Sequence, residues 1–337
     1  MLRYLIKRLF QGIFVIVGIS IFIFILSRVV PGDPARMALG PSATEKSVQQ
    51  LRKEMYLDKS LPEQYKNWAI GALHGDFGKS VNTKRPVVED VKEFLPATIE
   101  LVLCSGFLLV VVSVILGLLA ARYKDTWVDG TIRFIAYIGI AIPAFVLAII
   151  LLLVFGLKWQ LIPVLGRLSP EIISPPNVTG LMLIDSLIAG NFAAFVNAFQ
   201  HLLLPSIALS LGGLMQEARL LRASLSENTG KEYISSAKGY GIPFNVIMRK
   251  YLLKPSFIPV VSVMGLDIAA LMGNAFLVEK IFNWPGLSRY GLNAMLTKDL
   301  NAISVVILII GLLFLVINII VDLIIAALDP RIRVGGK

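Results

Sequence analysis

Cysteine and histidine are both scarce in this chain of 337 residues, which has one cysteine and two histidines. Cys104 stands alone, so the sequence has no disulfide framework and no thiol cluster for a metal ion. His74 and His201 form no H-E-x-x-H motif, which disfavours a metalloprotease. No serine has a base at a suggestive spacing. The sequence therefore predicts a protein that is not an enzyme.

A complete phosphate-binding loop is also missing. Residues 75–80 read Gly-Asp-Phe-Gly-Lys-Ser, which resembles the end of G-x-x-x-x-G-K-[ST], but Leu73 occupies the position of the first glycine. Backbone N–H groups cannot wrap a phosphate as that motif requires. Any ATP that drives this protein must therefore bind to another polypeptide.

Charged residues make up only 16% of the chain and hydrophobic residues 56%, which predicts an integral membrane protein. A spanning helix needs about 20 apolar residues, and six segments qualify. They cover approximately residues 9–30, 98–121, 132–157, 202–221, 257–278 and 302–328. No convincing cleavage site follows the first segment, so we expect it to be retained as a helix.

The net charge of +10 follows the expected membrane topology and does not indicate nucleic-acid binding. Lysine and arginine concentrate before the first span, after the second, after the fourth and after the sixth. Cytoplasmic segments carry such an excess of cations. The bias predicts a multi-pass protein with both termini in the cytoplasm.

The spans divide the chain into four predicted parts. They are an N-terminal transmembrane helix (1–30), an extracytoplasmic subdomain (31–96), a core of five transmembrane helices (97–328) and a cytoplasmic tail (329–337). Helical pieces are expected at 44–56 and 62–73, and an apolar stretch at 181–199 is expected at the membrane interface.

The core contains a cytoplasmic loop over residues 222–256 that is long enough to fold. Glu232 to Lys238 predicts a short helix, Gly241 a turn, and Phe244 to Leu253 a second helix that enters the fifth span. A helix-turn-helix at the water boundary could transmit force from a soluble partner. An ordinary solvated loop is the alternative.

Ionisable residues inside spans are costly and often functional. Asp267 is the clearest case, and it is a candidate for the translocation path together with Met272 and Asn274 of the same span. A structural hydrogen bond from Asp267 to a neighbouring helix is the alternative interpretation.

Three other polar residues in or near spans have simpler interpretations. Glu217 is expected to form a surface pair with Arg219 and Arg222. Asp322 is expected to pair with a cation at the inner end of its span, and His201 to be a capping or interfacial residue.

Residues 232–260, EYISSAKGYGIPFNVIMRKYLLKPSFIPV, resemble the coupling loop of binding-protein-dependent ABC importer permeases, in the peptide and nickel branch. The family's E-A-A-x-x-x-G stretch matches Ser235, Ser236 and Ala237, followed by Gly241, although its acid is absent. Other similar segments are LSRVVPGDPA, HGDFGKS, FLPATIEL, HLLLPSIALS, ARLLRASL, EKIFNWPGL and LDPRIR. The likeness covers nearly the whole chain.

The resemblance implies an all-α type I ABC importer permease fold with six transmembrane helices in a bacterial inner membrane. It also implies coupling to an ATPase through a set of loop residues. These are Glu232, Tyr233, Ser235, Ser236, Ala237, Lys238 and Gly241. An amide is more usual than Asp267 at its position, so the resemblance gives no support to a path role for this residue.

The expected partners are a second, homologous permease subunit, two ATP-binding subunits, an extracytoplasmic substrate-binding protein and membrane lipid. ATP and Mg would bind to the ATPase subunits, so no cofactor is expected in this chain, and no nucleic acid. Di- or oligopeptides are the expected substrates. A nickel chelate, glutathione, and an ion-coupled secondary transporter with Asp267 as proton carrier remain alternatives.

Overall fold

The computed structural model describes residues 2–29, 34–40, 43–54 and 56–328, and these residues form helices and loops without a β-sheet. The predicted tail 329–337 lies outside them, as does part of the two segments LSRVVPGDPA and LDPRIR. The helices are α1 (Leu2–Val29), α2 (Pro34–Leu39), α3 (Glu45–Glu54), α4 (Leu61–Leu73), α5 (Val87–Arg122), α6 (Trp127–Ala141), α7 (Ala144–Leu151), α8 (Met182–Ile188), α9 (Phe192–Thr229), α10 (Glu232–Gly239), α11 (Phe244–Val246), α12 (Leu253–Ile281), α13 (Leu287–Leu296) and α14 (Leu300–Leu328). Two π-helical turns, Leu152–Lys158 and Ile247–Leu252, follow α7 and α11.

Within the part of the chain that the structure describes, four helical stretches are long and apolar enough to cross a membrane: Val87–Arg122, Phe192–Thr229, Phe244–Ile281 and Leu300–Ala327. The bent pair α6–α7 makes a fifth if it counts as one span, and α1 contains a shorter apolar stretch, Phe10–Ile25. The all-helical fold is confirmed, and six spans are compatible with it. Several helices extend beyond the predicted spans, because polar turns continue the helix past the apolar segment.

The third span, predicted over 132–157, is broken into two helices in the structure. Helices α6 and α7 are bent by 102° at the break between them. Proline disfavours helical geometry in the residue before it, and Ile142, which precedes Pro143, has an extended ψ of 118°. The proline therefore breaks the span instead of only kinking it.

Helices α9 and α12 form the centre of the bundle, and α5 and α14 pack against them. Close approach is possible at small residues: a side chain on Gly265 of α12 would collide with Val321 of α14. Helix α1 lies on the outside against α14, where Arg8 pairs with Asp322 at 3.0 Å. The predicted pairing of Asp322 with a cation is confirmed.

The connections between spans define two ends of the bundle. The α10 end contains α10, the start of α6 and the end of α9, which Arg222 and Asp129 join. The opposite end contains α13 and the loop between α7 and α8, which Arg167 joins to Glu100 of α5.

Candidate functional site

Helix α10 is the short helix that was predicted between the two long helices α9 and α12. Its inward side consists of Ile234 and Ala237, three residues apart and therefore on one helical face. Both side chains are buried in a cluster with Leu221 and Leu225 of α9 and Ile247 of the following π-helical turn. Apolar packing thus attaches α10 to the bundle.

The opposite face of α10 is exposed and polar. It presents Glu232, Tyr233, Ser235, Ser236 and Lys238. Tyr240, one residue past the helix, is 86% exposed. Six of the seven predicted coupling residues therefore lie at the surface, and the seventh, Ala237, faces the core.

Gly241 forms the turn that ends this segment. Its φ is +71°, in the left-handed region that residues with a side chain adopt only with strain. Its N–H donates to the carbonyl oxygen of Lys238 at 2.9 Å, and Pro243 follows two residues later. The predicted helix and turn are both present, and the chain then continues without a large break from Phe244 to Ile281.

Two polar contacts connect the spans next to α10 with one another. The side-chain amide of Asn228, at the end of α9, donates to Ser256 Oγ of α12 at 2.9 Å in a buried environment. Arg222 of α9 donates to both oxygens of Asp129 of α6, at 2.5 and 2.6 Å. Helix α9, which precedes α10, is therefore tied to both α6 and α12.

Glu217 does not form the surface pair that was predicted with Arg219 and Arg222. It is 0% exposed and faces Asp267 of α12. Arg219 lies over the Tyr137 ring and Arg222 binds Asp129. Residues two or five apart on a helix point in different directions, so proximity in sequence was misleading here.

The three predicted path residues do not share one environment. Asn274 follows Asp267 by two helical turns, so the two lie on one side of α12, and Asn274 is exposed. Met272 is instead buried in the core with Leu271 and Ala275. A role of these residues in a translocation path stays a prediction.

The opposite end is held by carboxylates that each collect several donors. Glu100 accepts from Arg167 at 2.6 Å and from the Leu183 N–H at 2.7 Å. Asp299 accepts from Ser80 Oγ at 2.6 Å and from the Val81 N–H at 2.7 Å. Ser80, the last residue of the range that resembles a phosphate-binding loop, thus binds a carboxylate of the protein itself.

Asp185 of α8 organises the loop before it. Burial by itself raises the pKa of this carboxyl, but hydrogen bonds from Thr179, Val178 and Gly180 outweigh that effect and lower its pKa. The apolar stretch 181–199, expected at the membrane interface, forms α8 and the first turns of α9.

His201 is buried in α9, with Nε2 at 3.2 Å from Ser169 Oγ. The expectation of a capping histidine is therefore wrong, and an interfacial position stays a prediction. The N-cap of α9 is Asn191, ten positions earlier in the chain, whose side chain accepts from the Ala194 N–H.

Sequence reasoning missed Ile234, Asp129 and Asn228, all of which hold α10 or its neighbours in place. A signal existed for Ile234, since its spacing from Ala237 follows one helical face. Asp129 and Arg222 are 93 positions apart, so no local pattern could have paired them.

Long apolar helices, two of them joined by an exposed polar helix, define this molecule as a multi-pass membrane protein. Comparison with known families is more specific. The chain belongs to the family described as binding-protein-dependent transport system inner membrane component, whose model matches residues 113–334. A second model, for the N-terminal part of such membrane components, matches residues 1–102. The resemblance to ABC importer permeases is therefore confirmed.

Curated relatives match over almost their full length. The "Probable D,D-dipeptide transport system permease protein DdpB" of Escherichia coli is 34% identical over 98% of this chain and 97% of its own. The dipeptide transport system permease protein DppB of Alkalihalophilus pseudofirmus is 34% identical over 99% of this chain and 100% of its own. The glutathione transport system permease protein GsiC of Escherichia coli is 32% identical, with 99% coverage of both chains.

Proposed function

We propose that this chain is the membrane-spanning permease subunit of an ATP-driven importer of di- or oligopeptides, and that it forms half of the translocation pathway. The names of two relatives, dipeptide permeases at 34% identity, support peptide cargo. Glutathione is a second candidate, because a glutathione permease is 32% identical over the same length. Both cargoes carry peptide bonds and charged termini.

The exposed face of α10 is the observation that carries the coupling role. Helix α10 is attached by Ile234 and Ala237, while its polar face, with Tyr233 and Ser235, is turned away from the bundle. That arrangement suits a surface that a soluble ATPase subunit grips. Glu232, Ser236, Lys238 and the turn at Gly241 complete the proposed contact.

The other partners follow from this role. A second, homologous permease subunit supplies the other half of the pathway, and two ATPase subunits bind ATP and Mg. An extracytoplasmic substrate-binding protein delivers the cargo at the opposite end. The α10 end and both termini then lie in the cytoplasm, in agreement with the distribution of lysine and arginine.

Alternating access is the proposed mechanism. ATP binding closes the ATPase dimer, and α10 transmits that movement to α9 and α12 through its buried side chains. The loaded receptor and ATP each bias the equilibrium between inward-open and outward-open states, because each binds one state more tightly.

Site-directed cross-linking tests the coupling contact. The chain has one cysteine, so Cys104→Ser provides a cysteine-free background. In that background Ser235→Cys places a thiol on the exposed face of α10. We expect a bifunctional thiol reagent to join it to the ATP-hydrolysing subunit in native membranes.

Ser174→Cys is the matched control, because Ser174 is exposed in the loop at the opposite end. It should give no product with the ATPase. Cross-links to the ATPase from Ser174→Cys, or none from Ser235→Cys while ATP-driven uptake continues, would contradict the proposal.

Uptake measurements separate the candidate cargoes. Proteoliposomes with the complete transporter are supplied with a labelled dipeptide, a labelled longer peptide or labelled glutathione. We expect ATP-dependent uptake of a peptide and its inhibition by unlabelled peptides. Uptake without any ATPase subunit, driven by an ion gradient, would instead support a secondary transporter.

A further inference from the structure

Glu217 and Asp267 form a carboxyl pair inside the membrane-spanning bundle. Glu217 belongs to α9 and Asp267 to α12, and the two side chains interact across the contact between these helices. Gly213, one turn before Glu217, leaves the space that Asp267 occupies: a Cβ there would lie 3.4 Å from Asp267 Oδ2. The two acids therefore meet at a defined position between the central helices.

No hydrogen-bond donor serves this pair among the described residues. Both carboxyl oxygens of Glu217 and Oδ2 of Asp267 are buried without a partner. Glu217 is 0% exposed, so water does not reach its side chain from the surface. A buried carboxylate without donors or a counter-ion is strongly unfavourable.

No cation of the described helices neutralises the pair either. Arg219 lies over the Tyr137 ring, and Arg222 binds Asp129. Facing α5 contributes Leu109, which contacts Gly213. Other charged groups on the packed helices are paired elsewhere: Arg133 pairs with Asp129, Asp322 pairs with Arg8, and Glu100 pairs with Arg167.

Other buried acids of this protein are built differently. Glu100 and Asp129 each bind an arginine. Glu279 accepts from Thr98 Oγ1 at 2.5 Å and from the Arg289 N–H at 2.7 Å. Among these buried acids only Glu217 lacks a donor for both of its carboxyl oxygens. The fold thus supplies donors or counter-ions to buried carboxylates that occur singly. It supplies none to this pair, so only a small ligand can fill that role.

A proton fits this position. Two carboxyl groups that face each other in a medium of low dielectric constant cannot both be charged, and one proton between them supplies the missing donor. Glu217 is the more deeply buried member, so ionising its carboxyl group costs more free energy than ionising that of Asp267. Asp267 is partly exposed, so it retains the negative charge more easily.

We propose that Glu217 and Asp267 form a proton-binding site, in which the Glu217 carboxylic acid donates a hydrogen bond to the Asp267 carboxylate and so joins α9 to α12. Because these helices flank α10, any state that separates them changes the affinity of the site for its proton. Proton binding is then linked to the conformation of the bundle. This inference does not depend on the identity of the cargo or on the ATPase.

Infrared spectroscopy of the full chain in lipid bilayers tests the site directly. A protonated carboxyl group has a C=O stretch that neither amides nor carboxylates share, and the band shifts on H/D exchange. We expect wild type to show this band near neutral pH and Glu217→Gln to show a clearly weaker one. Asp267→Asn should keep the band at a shifted frequency, because Glu217 then donates to an amide.

Glu100→Gln is the matched control, since Glu100 is buried but paired with Arg167 and should contribute no protonated band. A band that is unchanged in both Glu217→Gln and Asp267→Asn would overturn the proposal. Loss of the band when sodium is added would also overturn it, because the occupant would then be a metal cation.

Thermal unfolding as a function of pH gives a second readout that needs no transport. Removing the proton at alkaline pH leaves two carboxylates facing each other, so the unfolding temperature of wild type should fall. The Glu217→Gln side chain donates an N–H at every pH, so its unfolding temperature should change less. Equal pH dependence of the two proteins would contradict the proposed site.

Discussion

The two ends of the bundle are stabilised in different ways. At the opposite end, Asp299 and Glu100 each accept several hydrogen bonds, and Asp90 accepts from Arg85, Thr83 and Tyr290. At the α10 end, α10 is attached by apolar packing around Ile234, and the polar links join only the spans next to it. Directional polar networks resist displacement, whereas an apolar contact can slide. The comparison indicates a fixed end and a movable end.

Removing Asp129 should have the largest effect on stability. Asp129→Ala leaves Arg222 without its carboxylate, and breaking a buried ion pair in this way costs about 3–5 kcal/mol. Thermal unfolding in detergent measures the loss. Arg133→Ala is the control, because Arg133 is 43% exposed at 3.5 Å from Asp129, and exposed pairs contribute about 0–1 kcal/mol. Equal losses would contradict this account.

Truncating Ile234 should have the next largest effect. Ile234→Ala removes the main apolar attachment of α10, and such a change in a core costs about 2–5 kcal/mol. We expect ATP hydrolysis by the assembled transporter to continue while uptake falls. Tyr233→Ala, on the exposed face, should leave the unfolding temperature nearly unchanged. If Ile234→Ala also leaves it unchanged, α10 is not attached in the way described.

Two serine substitutions compare the ends directly. Ser80→Ala removes a donor to the Asp299 carboxylate, and hydrogen bonds to charged groups contribute about 1.5–3 kcal/mol. Ser256→Ala removes the neutral contact with Asn228, which contributes about 1 kcal/mol. Chemical denaturation should therefore show the larger loss for Ser80→Ala. The reverse order would contradict the distinction between a fixed and a movable end.

A smaller effect is expected from pH at the opposite end. The pKa of Asp185 is lowered in the folded protein, so its stabilisation is present above the unfolded value of about 4 and is lost as pH falls through the folded value. Proteolysis of the loop between α7 and α8 should therefore accelerate in acid. In Asp185→Asn the rate of proteolysis should not rise further as the pH falls.

The sequence predicted the features that depend on local patterns. Long apolar runs located the helices, and Gly241 located the turn after α10. The sequence did not predict that the helix breaks at Pro143 with a bend of 102°, because the angle of a kink depends on the side chains that pack around it. Nor did it predict the environments of Glu217 and His201, since the face that a helical residue presents to its neighbours is set by tertiary packing.

The sequence predicted only the part of the candidate site that depends on local patterns. The exposed residues of α10 follow from polarity and from family resemblance. The partners that hold α10 in place come from α6, α9 and α12, and only the folded chain brings them together. Contacts such as Arg222 with Asp129 carry no sequence signature.

Uptake per ATP hydrolysed by a Gly241→Val transporter tests the central claim most directly. Valine at a φ of +71° strains the turn by about 1–3 kcal/mol, so α10 should lose its orientation while the subunits still assemble. We predict that ATP hydrolysis persists and that uptake per ATP falls by about tenfold or more. A change of about 1.4 kcal/mol in the coupling free energy corresponds to a factor of ten. If an assembled Gly241→Val transporter takes up as much substrate per ATP hydrolysed as wild type, α10 is not the element that transmits force.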